Sequence, residues 1–494
     1  MIKKYNSILI YPKVGDEDYA QPLMPLSVLA PATAAQNAGY SIKIIDQRIS
    51  KNWREEVKNS INDHLLCFGI SSMTGPQLGF AIEIAEYLKN NFSEIPIVWG
   101  GVHASLLPKQ TLNSGLADII VEKEGEITFV ELLNVMKLGY ELDNVNGISY
   151  WNANGNIIKT QEREFCNLDE YAYLDFSLID MSQYQIQGTD RAIRKNSVSL
   201  YTSRGCPAGC TYCYNCIYHQ RKWRGQCAEV AFTNIKRLCE YGISNIIVCD
   251  EYFFHNIDRA RSISKKLIDG GINIKFYYVN CKISQIAKMT DDDLILFSNA
   301  GINDLFVGIE TGSKRMQNKI KKYVKLEEII PVAKRLQLFG ISTQFSFLLG
   351  LPDENIKDMK DTIKLMVNIL KEVPETIMCG AGKFIPFPGT EAYDQVCNAG
   401  WIPPKDLKEW SKITFNNDVT WLKPEIRKII DPLLYLTYVL DTKINPRKNV
   451  VLELIRKIYS KIVTWRCRHG FINIIPEYCI IKSPLMALFQ KKKK

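Results

Sequence analysis

The chain has 494 residues, enough for two to four domains at roughly 100 to 200 residues each, and 46% of them are hydrophobic, which excludes disorder and fibrous structure. Only 23% are charged, no apolar run approaches the ~18 residues of a membrane span, and the apolar stretch near Met1 is cut short at Pro12, too early for a signal peptide, so a cytoplasmic protein is expected. The net charge of +9 sits at the carboxyl end: residues 446–494 hold twelve Lys and Arg against Glu453 and Glu477, a net of +10 that leaves residues 1–445 at −1 and argues against a nucleic-acid partner. Strands are predicted at Ser7–Tyr11, Ile42–Asp46, Leu65–Ser71, Ile97–Gly100 and Asp118–Glu122, with helices over Pro25–Ala38, Gln77–Asn91 and Glu126–Lys137. That alternation predicts a doubly wound parallel sheet, whose ligands lie beyond the carboxyl ends of the strands, in the loops Ser71–Gly75 and Gly100–Ser105. A hairpin over Gly147–Trp151 and Asn156–Thr160, turning at Asn154-Gly155, then leads into a linker.

From Val198 a second alternation begins, with strands at Val198–Ser203, Asn245–Cys249, Lys275–Val279, Asp304–Glu310, Thr343–Leu349 and Ile377–Pro386, and helices such as Ala228–Tyr241 and Leu326–Phe339. Six such units predict a full or partial parallel barrel, with its chemistry at the carboxyl ends of the strands. Residues beyond Cys397 read as mostly helical.

Fourteen cysteines in a cytosolic chain remain reduced, so a cluster among them points to metal. The first barrel strand runs into Arg204-Gly205-Cys206-Pro207-Ala208-Gly209-Cys210-Thr211-Tyr212-Cys213, a Cys-x3-Cys-x2-Cys spacing in a Gly- and Pro-containing loop. Three thiolates there can hold a four-iron cube with one iron left free for another ligand. A structural zinc with Cys216 or His219 as the fourth ligand is the alternative.

Cys-x3-Cys-x-aromatic-Cys at the end of the first strand of a six-unit barrel resembles the radical S-adenosylmethionine (SAM) superfamily. The resemblance implies a [4Fe–4S] cluster on Cys206, Cys210 and Cys213, with SAM on the fourth iron. One electron would cleave SAM to methionine and a 5′-deoxyadenosyl radical, since no side chain can abstract hydrogen from an unactivated C–H bond. Tyr212 falls where the family places an aromatic beside cluster and adenine. Cys249-Asp250-Glu251-Tyr252-Phe253 stands where an acidic motif contacts the SAM amino group, with Asp250 and Glu251 both candidates. Lys282, Glu310 in Gly308-Ile309-Glu310-Thr311-Gly312-Ser313, and Gly350 in Phe347-Leu348-Leu349-Gly350-Leu351-Pro352 match further SAM-contacting positions, and Phe384–Thr390 is like the family's barrel end.

The order of doubly wound domain, hairpin and radical SAM barrel resembles the cobalamin-binding subclass of that superfamily over residues 5–400. Its motifs fall on Pro22–Leu26, Ser71–Thr74, Trp99–His103 and Glu124–Glu126, which implies cobalamin contacts at Ser71, Ser72, Thr74, Gly100, Gly101, His103 and Gly125. Small residues suit a flat corrin lying across strand ends. The Asp-x-His-x-x-Gly signature of histidine-ligated corrinoid proteins is absent, so His103 reads as a lining or hydrogen-bonding residue rather than a cobalt ligand. The methylthiotransferase relatives carry three further cysteines in this region, where the chain has only Cys67 before residue 160.

The expected fold is therefore α/β: a Rossmann-like cobalamin-binding domain (1–142), a hairpin and linker (143–197), a partial (β/α)6 radical SAM barrel (198–396) and a helical carboxyl-terminal region with a basic tail (397–494). The expected activity is transfer of a methyl group from methylcobalamin to an unactivated carbon of a small molecule, with flavodoxin or ferredoxin as electron donor. A cobalamin-dependent oxidative cyclase or rearrangement enzyme, and a non-catalytic corrinoid- and zinc-binding protein, are the alternatives. Residues 449–468 alternate apolar and basic positions at helical spacing; they suit a helix packed on the barrel or one lying on a membrane surface. Cys239, Cys397 and Cys479 read as buried apolar residues.

Overall fold

The computed structural model describes residues 4–15, 23–184, 197–414, 419–441 and 450–469. Pro22, residues 185–196 of the linker, Cys479 and the terminal lysines lie outside these residues. Strands β1 (Ser7–Tyr11), β2 (Ile42–Asp46), β3 (Cys67–Ser71), β4 (Ile97–Gly100) and β5 (Ile119–Val121) pair in parallel in the order β2-β1-β3-β4-β5. Their near-continuous apolar runs are explained by helices on both faces. Leu9, Cys67, Val98 and Val121 face helices Leu26–Asn37 and Gly125–Leu138, while Ile8, Phe68, Ile70 and Trp99 face helix Pro76–Asn91. The strand order reverses between β1 and β3, and the crevice at such a reversal is where this architecture takes its ligand.

The hairpin is more than a connector. Its strands β6 (Ile148–Trp151) and β7 (Ile157–Lys159) add antiparallel to β5 and make a seven-stranded sheet. Ile148, Ser149 and Tyr150 are buried, and their backbone pairs with the otherwise open edge of β5.

The second half follows the predicted units in chain order: β8 (Ser197–Leu200), β9 (Asn245–Val248), β10 (Lys275–Tyr277), β11 (Val279–Cys281), β12 (Asp304–Glu310), β13 (Ser342–Leu349) and β14 (Ile377–Lys383). All neighbours pair in parallel, but the ladder is split into β8-β9-β10 and β11-β12-β13-β14. The single strand expected at Lys275–Val279 is broken by Tyr278, whose φ of 56° turns the chain and whose N–H donates to Asp304 Oδ1 at 3.1 Å.

The carboxyl-terminal region seals the free edge of β14. Thr437 Oγ1 accepts from the Ala381 N–H and Asp441 Oδ2 from the Met378 N–H, both at 2.9 Å, so helix Pro424–Leu440 takes the place of a neighbouring strand. Helix Leu407–Ser411 instead reaches back to the first domain, where Trp410 joins the apolar cluster under helix Pro76–Asn91. Among the described residues no helix is long and apolar enough to cross a membrane.

Candidate active site

At the β1/β3 reversal a slot enters the sheet between Leu9, Gly69, Val98, Val121, Gly125 and Phe129. It exists because glycine stands where a side chain would fill it: a Cβ on Gly69 would come within 2.3 Å of Leu9 Cδ2. Beyond the strand ends lies an open cleft. Ser71, Ser72 and Gly101 wall one side, and Tyr201, Tyr214 and Glu251 from the barrel half wall the other. Gly100 and Gly125 border the slot, so five of the seven residues expected to touch cobalamin share this one space. The fit is supported by the Ser72 hydroxyl, buried with no hydrogen-bond partner among the described residues, and by the glycine cradle. Gly101 has φ 87° and ψ −177°, a conformation essentially reserved for glycine, and a Cβ there would lie 2.6 Å from the Ser72 carbonyl oxygen. Gly101→Ala is expected to cost about 1–3 kcal/mol in urea unfolding and to weaken cobalamin retention on gel filtration.

Thr74 and His103 stand apart from this lining. Thr74 Oγ1 and His103 Nδ1 are hydrogen-bonded at 3.0 Å, and the fully buried imidazole packs edge-on to Trp410 with 5.9 Å between ring centroids. Burial pushes the His103 pKa down to about 4, so it is neutral at physiological pH. The unfolded chain takes up a proton below about pH 6.5, so this residue's contribution to stability is complete above that pH and shrinks as pH falls toward 4, by up to roughly 3 kcal/mol. His103→Gln is expected to flatten that dependence while leaving the absorption spectrum of bound cobalamin unchanged. A spectral shift would instead make His103 a cobalt ligand.

The cysteine loop begins at Gly205, where φ is 84° and a Cβ would lie 2.0 Å from the Lys222 carbonyl oxygen. Cys210 is buried, Cys206 and Cys213 are half-buried, and burial pushes the Cys213 thiol up to about 12. Such thiols ionise only when a cation takes the proton's place. Cys216 Sγ donates to the carbonyls of Ala208 and Cys210 at 3.4 and 3.3 Å, and His219 sits 3.5 Å from both Glu251 Oε1 and Arg224 Nη2. No three His, Cys, Asp or Glu side chains among the described residues converge on a single-ion site.

The two candidate acids are sorted by their hydrogen bonds. Asp250 is fully buried and accepts from the Thr202 N–H, Thr202 Oγ1 and Ser203 Oγ at 2.6, 2.8 and 2.6 Å, which fixes the strand end ahead of the cysteine loop. Glu251 accepts from the Gly205 N–H at 2.8 Å and borders the cleft. Glu310 ends β12 with φ 70°, a strained value for a non-glycine residue, over Gly308, where a Cβ would meet its carboxylate at 2.3 Å. Its Oε1 accepts from Lys322 Nζ at 2.9 Å, and the same ammonium lies 3.4 Å from the Tyr212 hydroxyl. Lys322 was not singled out from sequence. Burial alone would lower its pKa, but Glu310, Cys210 and Cys213 raise it, so it stays cationic beside the cysteines. Lys282 lies 5.1 Å over the Tyr252 ring and also acts electrostatically on Cys210. Gly350 is turned away: its carbonyl accepts from Trp421 Nε1 at 2.8 Å, and a Cβ would press on Ile430 at 2.9 Å.

A second feature missed in sequence joins the two halves. Glu124 accepts from Arg224 through Oε1 and Oε2 at 2.6 and 2.8 Å and lies 3.1 Å from Arg204 Nη1, while Arg204 Nη2 donates to Glu126 at 2.5 Å. Burial alone would raise the Glu124 carboxyl, but Arg204 and Arg224 pull it down to about 2. The loop after β5 is thereby tied to Arg204, two residues before Cys206.

Two family models match the chain: the B12 binding domain over residues 13–133 and the radical SAM superfamily over residues 200–366. An uncharacterized methyltransferase of Pyrococcus horikoshii is 27% identical over 413 residues, 82% of each chain. The hopanoid C-3 methylase of Methylococcus capsulatus is 23% identical over 75% of this chain and 68% of its own. Among solved structures, the cobalamin-dependent S-adenosylmethionine radical enzyme OxsB with aqua-cobalamin and S-adenosylmethionine bound superposes with a TM-score of 0.75 at 19% identity, over 99% of this chain and 76% of that one, which shows a shared fold. With both domains matched in the expected order, the chain belongs to the radical SAM superfamily, in the branch that carries an amino-terminal cobalamin-binding domain.

Proposed function

We propose that this enzyme transfers a methyl group to an unactivated carbon of a small-molecule substrate, using cobalamin, SAM and a [4Fe–4S] cluster. One observation carries the proposal: residues from the sheet end that takes cobalamin and residues flanking the cysteine loop line a single cleft, so one substrate can meet both. When bound, these groups supply a radical able to remove hydrogen from an unactivated C–H bond and a methyl group that needs no lone pair on its acceptor. Cys206, Cys210 and Cys213 hold the cluster. Lys322, fixed by Glu310 and Tyr212, places a positive charge beside it, and with Lys282 offers a partner for the SAM carboxylate. Glu251 is the acid available to an ammonium group, since Asp250 is already engaged by three donors. Ser71, Ser72, Gly100, Gly101 and Gly125 make room for the corrin. The methyl-transferring relatives support the same reading.

The reaction needs a one-electron reductant; a flavodoxin or ferredoxin in the reducing cytoplasm is the donor proposed with it. A test independent of the substrate's identity is to incubate the full chain, loaded with cluster and reduced cobalamin, with SAM alone. S-adenosylhomocysteine is the expected product. Release of 5′-deoxyadenosine with no S-adenosylhomocysteine would overturn methyl transfer and favour the oxidative cyclase or rearrangement reading.

A further inference from the structure

Helix Val450–Arg468 has two apolar faces, of which one is buried and the other exposed among the described residues. Ser460, Val463 and Cys467 are buried, and Ser460 Oγ donates to the Leu440 carbonyl at 2.9 Å, fastening the helix to its neighbour Pro424–Leu440. On the far side Leu454, Ile458, Ile462 and Trp465 are 58, 52, 49 and 55% exposed. At about 3.6 residues per turn these four occupy about a quarter of the helix circumference, diametrically opposite the buried face. Lys457, Lys461 and Arg468, all exposed, run along one margin of the stripe, and Arg466 stands on the other. Residues 454–469 include no Asp or Glu.

We propose that this face docks the enzyme on the surface of an anionic lipid bilayer, the helix lying in the interface plane. The apolar stripe enters the headgroup boundary, the lysine stems bend their ammonium groups back to the phosphates, and the indole of Trp465 sits at the polar margin. Charge selects this occupant. Lys457, Lys461, Arg466 and Arg468, which flank the stripe with no acidic residue over 454–469, complement a negative leaflet and repel a second copy of the same face. The inference concerns where the enzyme works and is independent of the reaction it performs.

The test is sedimentation of the full chain with vesicles of phosphatidylcholine alone or with a quarter phosphatidylglycerol. Partition into the phosphatidylglycerol vesicles is expected to exceed that into phosphatidylcholine by about tenfold or more and to fall with added salt. The double variant I458E/I462E, altered only at half-exposed positions, is expected to keep the wild-type circular dichroism and unfolding midpoint and to lose at least about tenfold in partition. Wild-type protein that stays in the supernatant with both vesicles overturns the proposal. So does a double variant that binds as well as wild type, which would place lipid contact elsewhere, or one that turns a non-binding wild-type dimer into a monomer, which would make the face a contact between copies.

Discussion

Replacing Cys210 with alanine is expected to abolish 5′-deoxyadenosine formation from SAM while leaving cobalamin bound. Cys210 is the most buried of the three cysteines of the loop, and the loop around it is held by bonds that do not depend on iron: the Thr211 N–H donates to the Ile320 carbonyl at 3.1 Å and the Thr211 carbonyl accepts from Ala392 N–H at 2.9 Å. The variant therefore keeps its fold but offers two thiolates instead of three, too few to hold a cluster with one open iron. The slot and cleft at the end of the first sheet contain no atom of Cys210. Iron content, chromatography of the SAM products and the absorption of bound cobalamin separate the two effects. Persistent SAM cleavage would show that these cysteines do not hold the cluster.

Glu124→Gln is expected to be the most destabilising single change at the junction of the two halves, because it leaves Arg204 and Arg224 facing a neutral amide. Glu124, Arg204 and Arg224 are 7, 14 and 19% exposed at their side chains, so solvent compensates little. Removing one partner of a buried ion pair costs about 3–5 kcal/mol, measurable as a lower urea midpoint. The pH dependence agrees in sign and size. A carboxyl held at about 2 in the fold, against its usual 4.5, contributes roughly 3 kcal/mol that is fully present above pH 4.5 and is lost as pH falls toward 2. Wild-type protein is therefore expected to lose stability across that window, and the variant to lose less there by about that amount, the remaining dependence coming from other carboxyls held low such as Asp293. Because Arg204 precedes the cysteine loop, the variant is also expected to release 5′-deoxyadenosine more slowly while retaining iron.

Much of this was legible along the chain. Strands β1, β2, β4 and β12 begin and end where their apolar runs do, and the cysteine spacing marks the loop after β8. The departures have local causes: Tyr278 divides one predicted strand by a left-handed turn, and the hairpin joins the sheet because β5 would otherwise expose its edge. Thr74, His103, Asp250 and Gly350, expected from sequence to touch a cofactor, each have a hydrogen bond to a protein partner, a pairing that spacing along the chain does not reveal.

Spacing and residue type alone determined which chemistry the chain can host. Three thiols within eight positions, and glycines after successive strands, act through neighbouring backbone, so their meaning survives without knowledge of the fold. Tertiary structure alone decided which face of each loop meets the cleft. It brought Glu124 against Arg224, 100 positions away, and Lys322 against Tyr212, 110 positions away, and among the described residues it left the outer stripe of the last helix exposed. Buried charge pairs of this kind depend on where separate strands end in space, and that is set by the packing of the whole core, which no local pattern encodes.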